Sequence, residues 1–244
     1  RQPLVVSSEV FYVAQKGQYY AEISDGAFDP TIAPLVDLWG FLNGSYRLPS
    51  PDELEEVLPL VDYTRVELNE EQRTIFLAEK SASFDYGAIA KGFIVDQALA
   101  ILADREVKSA FINAGGDIGL IGSRPDGHSW RIGIRDPRNE NRIIAVLPLN
   151  NRAVVTSGDY ERFFDDQGVR YHHILDPASG MPAGSLASVT IVAPTTLEAD
   201  ALSTAVFVLG PDRGMHLIEE LEEVEGVLIT TDLTFLVSSG LVGT

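Results

Sequence analysis

The segment RFFDDQGVRYHHIL, residues 162–175, decides the fold class, because it predicts two strands that pair with each other. Apolar and polar residues partly alternate on both sides of residues 165–168, which are polar and end in glycine. A turn this short makes the second strand antiparallel to the first. The segment TRVELNEEQRTIFLAE, residues 64–79, has the same form, with the polar residues 69–71 at its turn. These hairpins indicate antiparallel sheet.

Two other segments have the apolar spacing of helices. GAIAKGFIVDQALAILADREV, residues 87–107, places four apolar residues on one face, which we expect to be buried. They are Ile94, Ala98, Ile101 and Leu102. TTLEADALSTAVFVLG, residues 195–210, begins with Thr195 and Glu198 at the spacing of a capping box. Because predicted strands outnumber helices and adjoin in hairpins, we expect an α+β fold with largely antiparallel or mixed sheets and flanking helices. No linker-like stretch divides residues 1–244, so the sequence predicts a single domain.

The composition is that of an ordinary folded protein with a large excess of acidic residues. The 244 residues carry a formal net charge of −18, and 45% of them are hydrophobic. Proteins that bind the nucleic-acid backbone carry basic faces, so this charge argues against that class. An anionic ligand would need a metal ion or local cations beside it. No apolar run approaches the about 20 residues that span a bilayer. The chain has no cysteine, which excludes disulfides and thiolate metal sites.

The segment EADALST, residues 198–204, carries two oxygen-bearing side chains at helical spacing. Asp200 and Thr204 are four residues apart, so both lie on one helical face. A carboxylate and a hydroxyl are hard donors that suit Mg²⁺ or Ca²⁺ better than zinc. The alternative is an aspartate in the early turns of a helix and a threonine bonded back to the chain. Two ligands are too few to decide between these interpretations.

Two features suit an anionic ligand. Lys91 lies between Ala90 and Gly92 at the start of an otherwise apolar helix, where small neighbours let its ammonium approach a phosphate closely. A lone lysine is otherwise usually solvated and uninformative. Gly115 and Gly116 in NAGGDIG offer successive backbone N–H groups as an anion nest, although paired glycines are more common in plain turns. The sequence contains neither GxGxxG nor GxxxxGK[ST], so it does not predict a Rossmann or P-loop nucleotide site.

The segment YHHILDPASG, residues 171–180, sets two adjacent histidines before an aspartate. Neighbouring side chains on a strand point to opposite faces, so only one of His172 and His173 faces a pocket. A histidine in this position is more often a surface or core residue than a catalyst. A Ser-His-Asp hydrolase that uses Ser157 is conceivable, but there is no G-x-S-x-G elbow to expose that serine.

Six of these stretches occur in the order and approximate spacing of the ApbE family, which the chain resembles from about Gly26 to Gly210. They are GAFDPTIAPLVDLWGF, DYGAIAKGFIVD, INAGGDI, TSGDYERFF, RYHHILDPASGMP and EADALSTAVFVLG. The resemblance implies an ApbE-like, T-fold-like domain and an enzyme that is an FAD:protein FMN transferase. It implies that Mg²⁺ is required, that FMN passes from FAD to a threonine hydroxyl, and that AMP is released. The implied acceptors are membrane-associated redox subunits of Nqr and Rnf type.

The resemblance also implies roles for individual residues. The metal would be held by the main-chain carbonyl of Ala88 and by Asp200, Ser203 and Thr204. FAD would contact Ala27, Phe28, Asp29, Asp85, Lys91 and the backbone at Ile174, with Gly115 and Gly116 as the anion nest. His173 would face the ligand and His172 would face away. A threonine hydroxyl is a weak nucleophile that benefits from a base, so we expect His173 to act as the base, oriented or assisted by Asp176.

Two other functions stay open beside this one. In a Mg²⁺-dependent FAD pyrophosphatase, water would replace the acceptor threonine and the products would be FMN and AMP. In a flavin carrier, FAD would be bound without turnover.

The chain departs from the family pattern in two respects. It begins at Arg1 and reads as the interior of a domain, so we expect an N-terminal segment with flavin-contacting residues to be missing. Ser203 stands where alanine is commoner in the family, a change that should preserve Mg²⁺ binding. By resemblance we expect the protein to work outside the cytoplasmic membrane, attached to it only by a lipid anchor that this chain lacks.

Overall fold

A computed structural model describes residues 2–242 of the chain. Its backbone separates into two compact units. The N-terminal unit holds the chain up to Gly87 together with Arg162–Ala183, and the sheet unit holds Ala88–Glu161 together with the chain from Gly184 onward. The prediction that residues 1–244 form a single domain stays a prediction.

The sheet unit is built on six strands in the order β13-β12-β11-β8-β5-β4, and every neighbouring pair is antiparallel. The strands are β4 (Ala110–Ala114), β5 (Asp117–Ile121), β8 (Ala153–Gly158), β11 (Leu186–Ala193), β12 (Glu225–Thr230) and β13 (Phe235–Val237). Strand β11 is buried along its whole length, because it lies inside the sheet and is covered by a helix. A separate hairpin of β6 (Trp130–Asp136) and β7 (Asn139–Leu149) contributes Ile134 and Leu147 to this unit's core.

Two helices pack on this sheet, α4 (Ala90–Asp104) and α5 (Thr196–Glu220). Helix α5 is interrupted at Gly210, which has a φ of 80° and precedes Pro211, so the helix predicted over residues 195–210 ends there and a second helical segment follows. Thr195 caps α5 as predicted, with its Oγ1 accepting from the backbone N–H of Glu198 at 3.2 Å.

The buried face of α4 differs from the prediction. Ile94 and Ile101 are 63% and 56% exposed, and Ala98 and Leu102 are only half-buried. The helix instead buries Gly92 and Val95. The reason is that α4 lies against α5 through its smallest residues, because a Cβ on Gly92 would come within 2.4 Å of the Thr196 carbonyl oxygen. Apolar spacing alone did not identify this close approach.

The N-terminal unit contains both hairpins predicted from the sequence. Strands β2 (Val66–Asn69) and β3 (Thr74–Leu77) pair, and β1 (Leu4–Val5) adds to β3. Strands β9 (Phe163–Asp166) and β10 (Val169–His172) pair across Gln167 and Gly168, whose φ angles of 49° and 83° are those of a two-residue hairpin turn. The helices are α1 (Ser8–Ile23), α2 (Ala33–Leu38) and α3 (Pro51–Val57). The α+β prediction is confirmed.

The core of the N-terminal unit holds the segment that follows β10. Trp39 is fully buried among Leu35, Phe41 and Leu175, and its indole N–H donates to the Gly180 carbonyl at 2.8 Å. This bond and the packing fix the segment that follows the histidine pair. Across residues 2–242, no helix combines the length and apolar character that a bilayer crossing needs.

Candidate functional site

A buried pair of carboxyl groups lies where α4, α5 and β5 meet in the sheet unit. Asp200, on the second turn of α5, is 4% exposed and accepts a hydrogen bond from the Gly92 N–H at 3.0 Å. Gly92 is the third residue of α4, so this bond satisfies one of the unpaired N–H groups of a helix start. Asp117, the first residue of β5, is 1% exposed and lies 2.7 Å through Oδ1 from the Lys91 ammonium.

Burial raises the pKa values of both carboxyl groups, which also interact directly with each other. Burial raises the pKa of Asp200 to about 7, with the negative charge of Asp117 adding to the shift and the Gly92 N–H opposing it. Burial also raises the pKa of Asp117, although Lys91 opposes that shift. Desolvation and like-charge repulsion therefore disfavour two adjacent carboxylates, and a bound cation would relieve both effects.

The other predicted ligands lie next to this pair in the chain. Thr204 is half-buried one turn after Asp200. Ser203 is fully buried, and its hydroxyl hydrogen-bonds with the Asp200 carbonyl at 2.9 Å and with Ser157 Oγ at 2.8 Å. Ala88 lies two residues before α4 begins. The bond between the two serine hydroxyls places Ser157 beside a serine, which gives no support to a Ser-His-Asp hydrolase.

These residues fit a hard divalent cation. Within residues 2–242, no three His, Asp or Glu side chains come together to hold a metal, so a site here must combine carboxylates with hydroxyl and carbonyl oxygens. That donor set suits Mg²⁺ and excludes a histidine-rich zinc site. Oδ2 of Asp117 is buried and receives no hydrogen bond, so it has an unused lone pair in the same place.

Sequence reasoning missed Asp117. It identified the glycines of NAGGDIG but not the aspartate that follows them. The available signal was an acidic residue opening a strand of otherwise apolar and glycine residues, DIGLIG. A carboxylate in a strand of that composition is costly to bury unless it has a partner.

Gly115 and Gly116 form the exposed turn between β4 and β5. Their φ angles are 62° and 108°, and the Gly116 N–H donates to Asn113 Oδ1 at 2.9 Å. This is the ordinary strand-to-strand turn that the sequence also allowed. Their predicted contact with FAD stays a prediction, with the Gly116 N–H already bonded inside the turn.

Replacing Gly92 with alanine should separate α4 from α5. Its Cβ would lie 2.4 Å from the Thr196 carbonyl oxygen and 2.7 Å from Leu197 Cα, both of which are backbone atoms that cannot rotate away. We expect Gly92→Ala to lower the free energy of unfolding by about 3 kcal/mol, measured by urea denaturation. The matched control is Gly184→Ala, because a Cβ there meets nothing within 4 Å. A loss equal in both variants would contradict this packing.

The two histidines of the N-terminal unit have different surroundings. His172 is buried; its Nε2 lies 2.8 Å from the Ala183 carbonyl oxygen, and its Nδ1 accepts from the Ile174 N–H at 3.3 Å. His173 is half-buried; its Nδ1 lies 3.2 Å from the Arg162 carbonyl oxygen, and its ring packs against the Phe41 ring at an interplanar angle of 67°. The carboxylate of Asp176 accepts from the Ala178 N–H and the Ser179 hydroxyl. The predicted roles of His173 and Asp176 stay predictions.

The predicted FAD contacts of the N-terminal unit lie mostly in its interior. Phe28 and Ile174 are buried, and Ala27 is half-buried. The buried Asp29 accepts hydrogen bonds from the Thr31 N–H, the Thr31 hydroxyl and the Tyr63 N–H, while burial raises the pKa of its carboxyl. Asp85 is half-buried and accepts from the Gly87 N–H at 2.7 Å. Whether these residues contact FAD stays a prediction.

Comparison with known proteins gives one consistent family. The ApbE family model matches residues 1–228. A protein of Treponema pallidum named FAD:protein FMN transferase is 38% identical, with 98% of this chain and 70% of that protein covered. One of the same name from Klebsiella pneumoniae is 34% identical, with 98% and 74% covered.

Solved structures agree with these sequence matches. The ApbE protein of Thermotoga maritima superposes with a TM-score of 0.92 at 36% identity, covering 98% of this chain and 79% of that one. The flavinyl transferase ApbE of Pseudomonas stutzeri gives 0.86 at 31% identity, with 98% and 75% covered. The ApbE-like α+β fold and the transferase class predicted from the sequence are thereby confirmed. The chain belongs to the ApbE family.

Proposed function

We propose that this chain is an FAD:protein FMN transferase that uses Mg²⁺, attaches FMN to a threonine hydroxyl of an acceptor protein and releases AMP. The observation that supports the proposal is the buried Asp117–Asp200 pair with Lys91, in a family whose members from Treponema pallidum and Klebsiella pneumoniae are named FAD:protein FMN transferase. The pair is a hard-oxygen cluster in a strongly acidic chain, so it suits a cation that in turn binds a diphosphate.

The reaction is a phosphoryl transfer with a simple atom balance. The threonine oxygen forms a bond to the phosphorus of the FMN half of FAD, the bond from that phosphorus to the bridging oxygen breaks, and AMP leaves with that oxygen. The proton of the hydroxyl passes to a base. Such reactions ask a protein mainly to position groups and to neutralise charge.

The residues of the sheet unit provide the positioning and the charge. Mg²⁺, when bound, would supply positive charge that offsets the negative charge of the diphosphate. Asp200, the Ser203 and Thr204 hydroxyls and the Ala88 carbonyl would hold it. Lys91, whose side chain is 44% exposed although Asp117 holds its ammonium, is placed to present positive charge to a phosphate.

His173 is the proposed base. If its Nδ1–H donates to the Arg162 carbonyl, Nε2 is the basic nitrogen of the neutral ring and can accept the threonine proton. Asp176 would assist by fixing the loop that follows, through its bonds to Ala178 and Ser179. The proposed FAD contacts remain those that the resemblance implies.

The proposed acceptors are membrane-associated redox subunits of Nqr or Rnf type. The proposed location of the protein is the outer side of the cytoplasmic membrane, to which a lipid anchor would attach it. Both statements rest on the resemblance to the family.

The test is incubation of the protein with FAD, Mg²⁺ and a peptide that carries an Asp- and Thr-rich target motif, followed by mass spectrometry and flavin chromatography. We expect the peptide to gain the mass of FMN less water, and a peptide with alanine at the target threonine to gain nothing. Removing Mg²⁺ with EDTA should stop the gain. Free FMN without peptide modification would instead show a pyrophosphatase, and intact bound FAD a carrier.

A further inference from the structure

Asp117 has fewer bonds to its carboxylate than two other buried aspartates of the described residues, Asp29 and Asp159. The buried Asp29 accepts three hydrogen bonds. The buried Asp159 binds both terminal nitrogens of Arg138, at 2.6 and 2.8 Å. Asp117 is 1% exposed, yet only its Oδ1 has a donor, the Lys91 ammonium, and its Oδ2 has none. Burying a carboxylate oxygen without a hydrogen-bond donor costs free energy, so the burial of Asp117 Oδ2 needs an explanation.

The strand that carries Asp117 faces the oxygen-bearing side of α5. Asp117 and Gly119 are two residues apart on β5 and point to the same side of the sheet. A Cβ on Gly119 would lie 2.8 Å from Thr196 Oγ1, so α5 crosses this side closely. Thr196 and Asp200 are four residues apart and share a helical face. The Thr196 hydroxyl is also buried without a hydrogen-bond partner. Two such oxygens, Asp117 Oδ2 and Thr196 Oγ1, therefore belong to the elements that meet here, β5 and α5.

We propose that Asp117 is a further direct ligand of the divalent cation, bound through Oδ2 while Oδ1 holds Lys91. This inference rests on the proposed function, because it assumes that Asp200 belongs to a cation site. Two carboxylates, one ammonium and one divalent cation sum to a charge of +1, which suits the binding of an anionic diphosphate. The same group of residues without the cation leaves two carboxyl groups in contact with only one positive partner.

The test measures cation binding without flavin, so it does not depend on turnover. Mn²⁺ replaces Mg²⁺, and free Mn²⁺ is followed by electron paramagnetic resonance during a titration. We expect Asp117→Asn to weaken Mn²⁺ binding at least about tenfold, because it removes one charged ligand, and Asp200→Asn to weaken it at least as much. Asp159→Asn is the matched control, a buried aspartate whose partner is Arg138, and should bind Mn²⁺ as the original protein does.

A melting experiment without cation separates ligand loss from damage to the fold. Asp117→Asn relieves a like-charge contact, so its melting temperature should equal or exceed that of the original protein. Asp159→Asn breaks a buried ion pair, so it should melt lower. A lower melting temperature for Asp117→Asn, with Mn²⁺ binding unchanged, would show that the carboxylate is structural and overturn the inference.

The Lys91→Met variant shows whether Asp117 binds the cation directly or only positions Lys91. If Asp117 binds the cation, Lys91→Met should bind Mn²⁺ as well as the original protein or better, because a competing positive charge is gone. Weakening equal to that of Asp117→Asn would mean that Asp117 acts through Lys91, and the inference fails. If Asp200→Asn weakens binding and Asp117→Asn does not, the inference alone fails. If neither variant weakens binding, the proposed cation site fails as well.

Discussion

Asp200→Asn should lower the rate of FMN transfer about a thousandfold and leave the residual rate insensitive to Mg²⁺. The substitution keeps the size of the side chain and removes its charge, so the Gly92 N–H retains an acceptor while the cation loses its principal anionic ligand. Metal neutralisation of a reacting phosphate provides several kcal/mol, and a loss of about 4 kcal/mol corresponds to a factor of about a thousand in rate. The measurement is the initial rate of peptide flavinylation over a range of Mg²⁺ concentrations.

The fold of the variant can be checked in the same samples. Burial and Asp117 raise the pKa of Asp200, so an uncharged amide in its place relieves repulsion, and the cation-free variant should melt no lower than the original protein. Asp136→Asn is a control in the same unit, because that carboxylate lies on the β6–β7 hairpin, where it accepts from the Arg138 N–H. Its transfer rate should stay within about twofold of the original. A full rate in Asp200→Asn would remove Asp200 from the site.

The local features of the fold followed from the sequence because short-range chemistry fixes them. The polar turn at Gln167 and Gly168 and the cap at Thr195 depend only on residues within a few positions of each other. The exposed face of α4 did not follow, because burial at Gly92 depends on Thr196, more than a hundred residues later. Apolar spacing shows which face of a helix can be buried, but it does not show which other element packs against the helix.

For the same reason, only part of the candidate site could be predicted from the sequence. Asp200 and Thr204 share a helix, so their spacing showed one oxygen-bearing face. Asp117 and Lys91 come from different elements, and their 2.7 Å contact is a property of the folded unit. The family resemblance provided the predicted ligands and did not include Asp117, which became visible only through its burial and its unbonded oxygen.

His173→Ala should lower the transfer rate at least about a hundredfold, which is the lower range for loss of a general base. The side chain is half-buried, so the melting temperature should change little. FAD binding, measured by flavin fluorescence, should also persist, because the proposed role is proton transfer. The matched variant is His172→Ala, one residue earlier on the same chain segment.

The hydrogen bonds of the two rings explain why the variants should differ. The Ile174 N–H donates to Nδ1 of His172, so the proton of that neutral ring lies on Nε2 and is given to the Ala183 carbonyl. Both nitrogens are thus occupied in the interior. The bond from His173 to the Arg162 carbonyl places its proton on Nδ1 instead, so the basic nitrogen of that ring is Nε2.

His172→Ala should therefore be a stability variant. It leaves the Ile174 N–H without its ring acceptor and opens a cavity at a residue that is 5% exposed, so the free energy of unfolding should fall by about 2–3 kcal/mol. Its transfer rate per folded molecule should stay near the original value, when active protein is counted by bound FAD. If His172→Ala loses the rate and His173→Ala keeps it, the base is assigned to the wrong histidine. Because the two rings carry their protons on opposite nitrogens, this pair of variants separates catalysis from folding at adjacent positions.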